Sequence, residues 1–478
     1  MALRLYNTAT RAVEPFTPQV PGEVGIYVCG ATVQSSPHIG HLRSMVAFDL
    51  LRRWLECTGQ RVTLVRNVTD IDDKILHNAG HAGIPWWQLA AHFEREFAAA
   101  DRLLGNLPAS IEPRATGHIG QMILLIEDLL ARGHAYVAAG SVWFAVGSYP
   151  GYGELSGQRC EDMLASPESE PGKRNPHDFA LWKAAREGEP SWPAPFGAGR
   201  PGWHIECSAM AETYLGAQFD IHGGGRDLLF PHHENERAQS CAAGRPFARV
   251  WMHNAWVTQA GEKMSKSLGN SLQVTHVVSL ARPIEVRYYL LSAHYRSNLE
   301  YSPQALAEAA TAFRRVVGML ERSAERQGAP IALPPTGVAP SLPPAFVAAL
   351  NDDLSMPAAL AVLFECTAAG NSALTSHPGD PAAIERNAVA VRAMLHVLGC
   401  DPFDPHWAEQ GRDSRAERAL ATLVDRLLAE RDRARARQDY AAADDLRRTL
   451  ADAGIAIRDG AVAATGSRWS LADPTDAR

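Results

Sequence analysis

Two stretches of this chain follow one plan: an apolar run, a glycine-bearing turn, then a helix-forming segment. The first begins with "EVGIYVCG". After a turn comes "HLRSMVAFDLLRRWLECTG", whose apolar residues recur at helical spacing and stop at Gly59. "QRVTLVRNV" then reads as a second strand. The plan repeats in "GAQFDIHGGGRDLLFPHHENERAQSC", and "RVWMHNAWVTQAG" offers further strand. Strands alternating with helices build a parallel sheet in an α/β fold. Ligands of such sheets sit at the carboxyl ends of the strands, and the unusual residue clusters of this sequence fall there.

The texture changes along the chain. Residues near 120–200 are rich in Gly, Pro and Trp ("SYPGYGELSG", "GEPSWPAPFGAGRPGW") and read as an insertion. From about residue 303 the chain turns to Ala-rich and Arg-rich helix, interrupted by "APIALPPTGVAPSLPP" and resuming to about 399. Residues 404–478 form an arginine-rich helical stretch ending in short extended pieces. A length of 478 residues suggests about three domains. The N-terminus lacks the apolar core of a secretory signal. No stretch is expected to approach the ~20 apolar residues of a membrane span, so the expectation is a cytoplasmic protein with no membrane partner.

Seven cysteines, few and odd in number, argue against a disulfide framework in a long cytosolic chain. A net charge of −7 argues against non-specific nucleic-acid binding over the whole surface. Lysine stands at only five positions, and arginine supplies the other 41 of the 46 cations. Two of those lysines fall within "EKMSKSLGN". These places call for a compact, flexible point charge rather than a planar fork.

"PHIGHLRS", at residues 37–44, sets His38 in the turn after the first strand and His41 in the first turn of the helix. Two histidines so spaced could ligate a metal, cap the helix, or donate to an anion at the helix start, where N–H groups and the dipole favour negative charge. "GEKMSKSLGN" is a polar, lysine-bearing loop after a strand. Such lysines can clamp a triphosphate and follow charge onto departing pyrophosphate; a plain solvated loop is the alternative. Together, the two motifs resemble the paired HIGH and KMSKS motifs of class I aminoacyl-tRNA synthetases.

Four further residues narrow the reading: Cys29 in "YVCGATV", Cys207 in "GWHIECSAM", and His232 and Glu236 in "FPHHENE". His232 and Glu236 are i,i+4 and can share one helix face, with Pro231 near the helix start. Two thiolates, an imidazole and a carboxylate make a plausible tetrahedral zinc set. Neighbouring His233 is expected to point elsewhere. With "NVTDIDDKI", "DIHGGGRDLLFPHHENE" and the terminal "DYAAADDLRRTLADAGI", the chain resembles the cysteinyl-tRNA synthetases over almost its whole length.

That resemblance carries expectations. Cys29, Cys207, His232 and Glu236 hold one zinc ion, which binds the thiol of L-cysteine. His38 and His41 then serve ATP, and Lys263 and Lys266 steady pyrophosphate. Ser265 and Ser267 of the loop, Gly40, Gly223, Gly224, Gly225 and Asp227 contact the nucleotide, which arrives with Mg2+. The glycines allow close backbone approach, and Asp227 accepts from a ribose hydroxyl. Trp203 and His222 line the amino-acid pocket with Thr69; Thr69 and Asp70 could instead cap a helix. Gln34 departs from the aromatic residue many relatives carry there.

The expected architecture is α/β. A Rossmann-like parallel-sheet catalytic domain (1–120 and 201–270) carries an inserted connective domain (121–200). A stem-contact connection (271–305), a C-terminal helical bundle (306–403) and a small anticodon-binding domain (404–478) follow. Between Arg412 and Arg448 ten arginines face eight acids, a slight local bias. Tyr440, Asp444 and Trp469 are expected to meet the anticodon end of cysteine tRNA, and the protein is expected to be a monomer. A cysteine:amino-sugar ligase would share the adenylate chemistry but lack the C-terminal part. A non-catalytic zinc- and nucleotide-binding protein would not need the lysine loop.

Overall fold

The computed structural model describes residues 2–158, 171–259, 262–263, 272–333, 341–376, 380–458 and 468–471. It divides into two compact units, 1–402 and 403–478.

The centre of the first unit is a four-stranded sheet in the order Phe247–Asn254, Gln218–Gly225, Glu23–Val28, Arg61–Arg66, with every pairing parallel. Its strands are apolar on both faces (Val24, Ile26, Tyr27, Val28, Val62, Leu64, Val65, Phe219 and Ile221 are buried), as a sheet covered by helices requires. The first strand runs into helix Ile39–Cys57, which buries Leu42, Val46, Leu50, Leu51, Trp54 and Leu55. The strand order reverses between Glu23–Val28 and Gln218–Gly225. A crevice opens at the carboxyl ends of strands at such a switch point. Cys29 follows the first of these two strands and Gly225 ends the second.

Between the two halves of the sheet lies a second, antiparallel sheet of Ala135–Ala138, Ser141–Phe144, Phe179–Ala184 and Gly199–Pro201. Its last strand turns at Gly202 into helix Trp203–Leu215, which returns the chain to the crevice. Only glycine fits that turn, because a Cβ on Gly202 would lie 2.0 Å from the Ala180 carbonyl oxygen.

Helices Pro303–Gln327, Pro344–Asn351, Met356–Ser376 and Pro381–Val397 form a bundle. The span Met356–Thr375 is long and apolar enough, by length and composition alone, to cross a membrane. This corrects the expectation that no stretch approaches that length. The helix buries Ala359, Leu360, Leu363 and Ala373 in the bundle, packed on three neighbouring helices. Arg287, fully buried in helix Pro283–Leu291, ties this region to the first helix. It donates to Asp49, to Asn106 Oδ1 (2.6 Å) and to the carbonyls of Leu104 (3.1 Å) and Leu398 (2.9 Å).

The second unit has helices Pro405–Ala436 and Tyr440–Asp452 and a hairpin of Ile455–Arg458 with Arg468–Leu471. Val424, Leu428, Leu450 and Ile455 are its small core.

Candidate active site

Four segments bring one ligand-capable atom each to the floor of the crevice. Cys29 follows the first strand, held by its own N–H to the Gly223 carbonyl (3.0 Å). Gly30 beside it donates to Asn67 Oδ1 (2.8 Å), and a Cβ there would lie 1.7 Å from the Asn67 carbonyl oxygen. Cys207 lies in helix Trp203–Leu215. His232 falls in the π-helical turn Leu229–His233, and Glu236 in the first turn of helix Glu234–Ala242. The two therefore do not share one regular helix face, but they meet: His232 Nε2 is 3.0 Å from Glu236 Oε1. Cys29 Sγ lies 3.7 Å from Cys207 Sγ and 3.3 Å from Glu236 Oε1. All four ligand atoms lie within 4.8 Å of one another, and all four residues are buried.

Burial sets the protonation of these groups. Burial pushes the Cys29 thiol well above its ordinary range, reinforced by Cys207 and Glu236, and burial raises Cys207 as well. Burial holds His232 well below the usual imidazole range, helped by His204 and His222, so it offers a neutral ring. Two thiols, a neutral imidazole and a buried carboxylate suit a thiophilic divalent ion.

A second group shares two of these residues: Cys29, His222, His233 and Glu236 also lie mutually within 4.8 Å. His233 therefore does not point elsewhere. The turn before it is not α-helical, with Phe230 extended at φ −138°, ψ 132°. Its Nδ1 bonds His253 Nε2 (2.8 Å), whose Nδ1 bonds Thr8 Oγ1 (2.9 Å).

At the head of helix Ile39–Cys57, His38 is the N-cap. His38 Nδ1 accepts from Gly40 N (3.1 Å), and His41 Nδ1 accepts from His38 N (3.1 Å), a reciprocal capping box. With both Nδ1 atoms accepting, the neutral rings carry their protons on Nε2. Ile39 N donates to the Leu272 carbonyl (3.0 Å), so the chain returning from the lysine motif is anchored at this helix start. Lys263 lies in the short strand Glu262–Lys263, described by its backbone alone. Ser265, Lys266 and Ser267 lie outside the described residues.

A cavity of about 410 Å³ runs from Cys29 to the histidine-capped helix, with Cys29, His38, Gly40, His41, Trp203, Gly225 and Asp227 on its wall. Several expected contacts are placed otherwise. His222 is fully buried behind Glu236, its Nε2 2.8 Å from Oε2, and its ring stacks on Trp251 (4.5 Å between centroids). Thr69 is buried, donating to Glu206 Oε2 (3.0 Å) and accepting from Asn67 Nδ2 (3.2 Å). The helix after it is capped by Asp72, which accepts from Lys74 N (2.9 Å), rather than by Thr69 or Asp70. The side-chain-free backbone at Gly223 and Gly224 makes room for Phe48, and for His233 and Leu228, rather than lining the cavity. Gln34 is held by Asn78, which donates to its carbonyl (3.0 Å). Tyr440 opens its helix 64% exposed, and Asp444 is exposed one turn on. Trp469 lies in a strand described by backbone, opposite Ile457.

Sequence reading missed His204, whose Nδ1 is 2.9 Å from His232 Nδ1. Its i,i+3 spacing from Cys207 was the available signal.

The open parallel sheet and the histidine-capped helix at its switch point, taken with the lysine motif of the sequence, define a class I aminoacyl-tRNA synthetase. Accordingly, the tRNA synthetases class I (C) catalytic domain matches residues 15–311. The fold is shared with methionyl-tRNA synthetase of Mycobacterium tuberculosis in complex with methionyl-adenylate (TM-score 0.54, 16% identity, 79% of this chain and 89% of that one). It is shared too with a leucyl-tRNA synthetase from Agrobacterium radiobacter K84 in a ternary complex (TM-score 0.57, 13% identity, 83% and 86% covered).

A DALR domain matches residues 345–400 and the cysteinyl-tRNA ligase anticodon binding domain matches 417–465. The cysteine–tRNA ligase of Streptomyces avermitilis is 52% identical over 473 residues, 98% of this chain and 99% of that one. The chain belongs to the cysteinyl-tRNA synthetase family. The match to an anticodon domain disfavours the amino-sugar ligase.

Proposed function

We propose that the protein activates L-cysteine with ATP, releasing pyrophosphate, and transfers the cysteinyl group to the 3′-terminal adenosine of cysteine tRNA. The observation that carries this reading is the convergence of Cys29, Cys207, His232 and Glu236 within 4.8 Å of one another, with Cys29 lining the floor of the cavity. Of the two candidate groups, this one holds both thiols, and soft ligands favour zinc. A zinc ion held there would take the substrate thiol in preference to a hydroxyl, giving a discrimination that a hydrophobic pocket cannot supply.

The chain's own residues do the rest by positioning and neutralisation. Trp203, stacked on His232 at 4.2 Å, walls the amino-acid end of the cavity. Behind the floor, His222 orients Glu236, and Thr69 braces the strand end. His38 and His41 present Nε2–H donors to phosphate oxygens, and Gly40, on the cavity wall, lets the nucleotide approach the backbone. Gly225 and Asp227 border the ribose. Lys263 and Lys266, with Ser265 and Ser267, neutralise the departing pyrophosphate, which Mg2+ accompanies. The substrate carboxylate attacks the α-phosphate in line, and no side chain serves as nucleophile. Tyr440, Asp444 and Trp469 meet the anticodon end, and the domain boundaries are those given above. The enzyme works as a cytoplasmic monomer.

The test is pyrophosphate exchange with each amino acid in turn, followed by charging of total tRNA. Cysteine alone should support both. Exchange with serine at a comparable rate, or cysteine-dependent exchange with no tRNA charged, would overturn the reading.

A further inference from the structure

His232 presents its two ring nitrogens to different partners. Nε2 faces the ligand group, 3.0 Å from Glu236 Oε1. Nδ1 faces away, 2.9 Å from Nδ1 of His204. His204 is the second residue of helix Trp203–Leu215 and is itself clamped. Its ring meets Phe179, on the inserted sheet, edge to face at 5.6 Å, and it follows Trp203, whose ring stacks on His232.

Two imidazole nitrogens at this distance can share only one proton. If His204 donates, His232 Nδ1 is the acceptor, the neutral His232 ring must carry its proton on Nε2, and it cannot bind a cation. If His232 donates, its Nε2 lone pair is available to the ligand group, and His204 carries its proton on Nε2. Only the second arrangement fits His232 as a ligand. Residues behind a metal ligand fix its tautomer and aim in this way, usually through a carboxylate or carbonyl. Here the partner is a second imidazole, whose acceptor role depends on its own tautomer.

We infer that His204 is a positioning residue of the metal site, accepting the His232 Nδ1–H so that Nε2 is held unprotonated toward Cys29, Cys207 and Glu236. This rests on the assignment of those residues as zinc ligands. Through Phe179, it makes the inserted sheet a support for the floor of the active site.

The test measures zinc affinity of the full-length protein by competition with a chromophoric chelator. His204→Phe keeps an aromatic ring beside Phe179 and Trp203 but removes the acceptor. It should weaken zinc binding about 10- to 100-fold. His204→Asn, whose side-chain carbonyl can stand where Nδ1 stood, should recover most of that loss. Parent-like affinity of His204→Phe, within about twofold, would overturn the inference while leaving the ligand assignment intact, provided His232→Ala loses zinc. A parent that binds no zinc, or a His232→Ala variant with undiminished affinity, would overturn the assignment itself. Nitrogen-15 NMR of the zinc-loaded parent, labelled at histidine, gives a second reading that needs no variant. His232 should show the Nδ1–H form and His204 the Nε2–H form, and an Nδ1–H form of His204 would sink the inference.

Discussion

His38 and His41 stack ring on ring, with centroids 3.7 Å apart and planes 26° from parallel, and each gives its Nδ1 to the backbone of the same helix end. On the proposed reading the cap and the phosphate site are one device: with both Nδ1 atoms accepting in the cap, the neutral rings carry Nε2–H groups that would donate to phosphate. The two roles can be separated at His38. Asn is a good N-cap, so His38→Asn should keep stability within about 1 kcal/mol of the parent. It lacks the Nε2–H, and losing one donor to developing charge costs about 10²–10³-fold in turnover. Thermal melting and cysteine-dependent pyrophosphate exchange together check this. A variant that melts like the parent and exchanges at the parent rate would reduce His38 to a cap.

The metal site makes an independent prediction. Purified protein should carry about one zinc per chain, and Cys207→Ala should retain less than about a tenth of it, since a removed thiolate leaves an incomplete tetrahedron. Stripping zinc from the parent with a chelator should abolish cysteine-dependent exchange, and added zinc should restore it. Elemental analysis before and after is the measurement. Full zinc content in Cys207→Ala would point to the alternative group of Cys29, His222, His233 and Glu236.

What could be read from the chain was what local pattern encodes. The parallel sheet followed from apolar runs, glycine turns and helical spacing, and Cys29 could be placed at a strand end because "YVCG" shows where that strand stops. The supports of the site could not be read, because their partners are remote or irregular. His204 meets His232 across 28 positions, and Arg287 reaches Leu398 across 111. His222 looked like a wall of the pocket, yet strand alternation turned it inward onto Glu236 and Trp251. His233 was misjudged because helical spacing was assumed through a turn whose Phe230 is extended. The apolar helix Met356–Ser376 was underestimated because alanine and glycine lengthen an apolar span without forming an obvious hydrophobic run.

The buried Asp49–Arg287 pair ties the first helix to helix Pro283–Leu291, and its removal has a definite sign. Burial alone would raise the Asp49 carboxyl, but Arg287 and Arg53 outweigh it and hold the group below its ordinary value. Its contribution to stability is therefore fully present above its unfolded pKa of about 3.9, and is lost as pH falls through the lower folded value. Asp49→Asn strands a buried guanidinium and should cost roughly 3–5 kcal/mol. Urea melts near neutral pH should show that loss, and the gap between variant and parent should narrow under acid conditions. A gap that widens as pH falls would contradict the assigned charge state.

The last prediction concerns the second unit. The described ligand group, the histidine-capped helix and the cavity all belong to the first unit. A chain ending at Pro402 should therefore keep cysteine-dependent pyrophosphate exchange within about twofold, since on the proposed reading each reactant of that step binds in the first unit. Charging of cysteine tRNA should fall much further. A stacked base is worth about 1–3 kcal/mol, so losing the exposed Tyr440 and the arginine-bearing helices would reduce kcat/KM on the order of 10²-fold. The salt dependence of tRNA binding should also become shallower, because each lost phosphate contact removes about 0.7–0.9 from the log–log slope. Filter binding at several salt concentrations and parallel charging assays measure both. Undiminished charging by the shortened chain would remove residues 403–478 from tRNA recognition. A joint loss of exchange and charging would instead show that the first unit depends on the second for its fold.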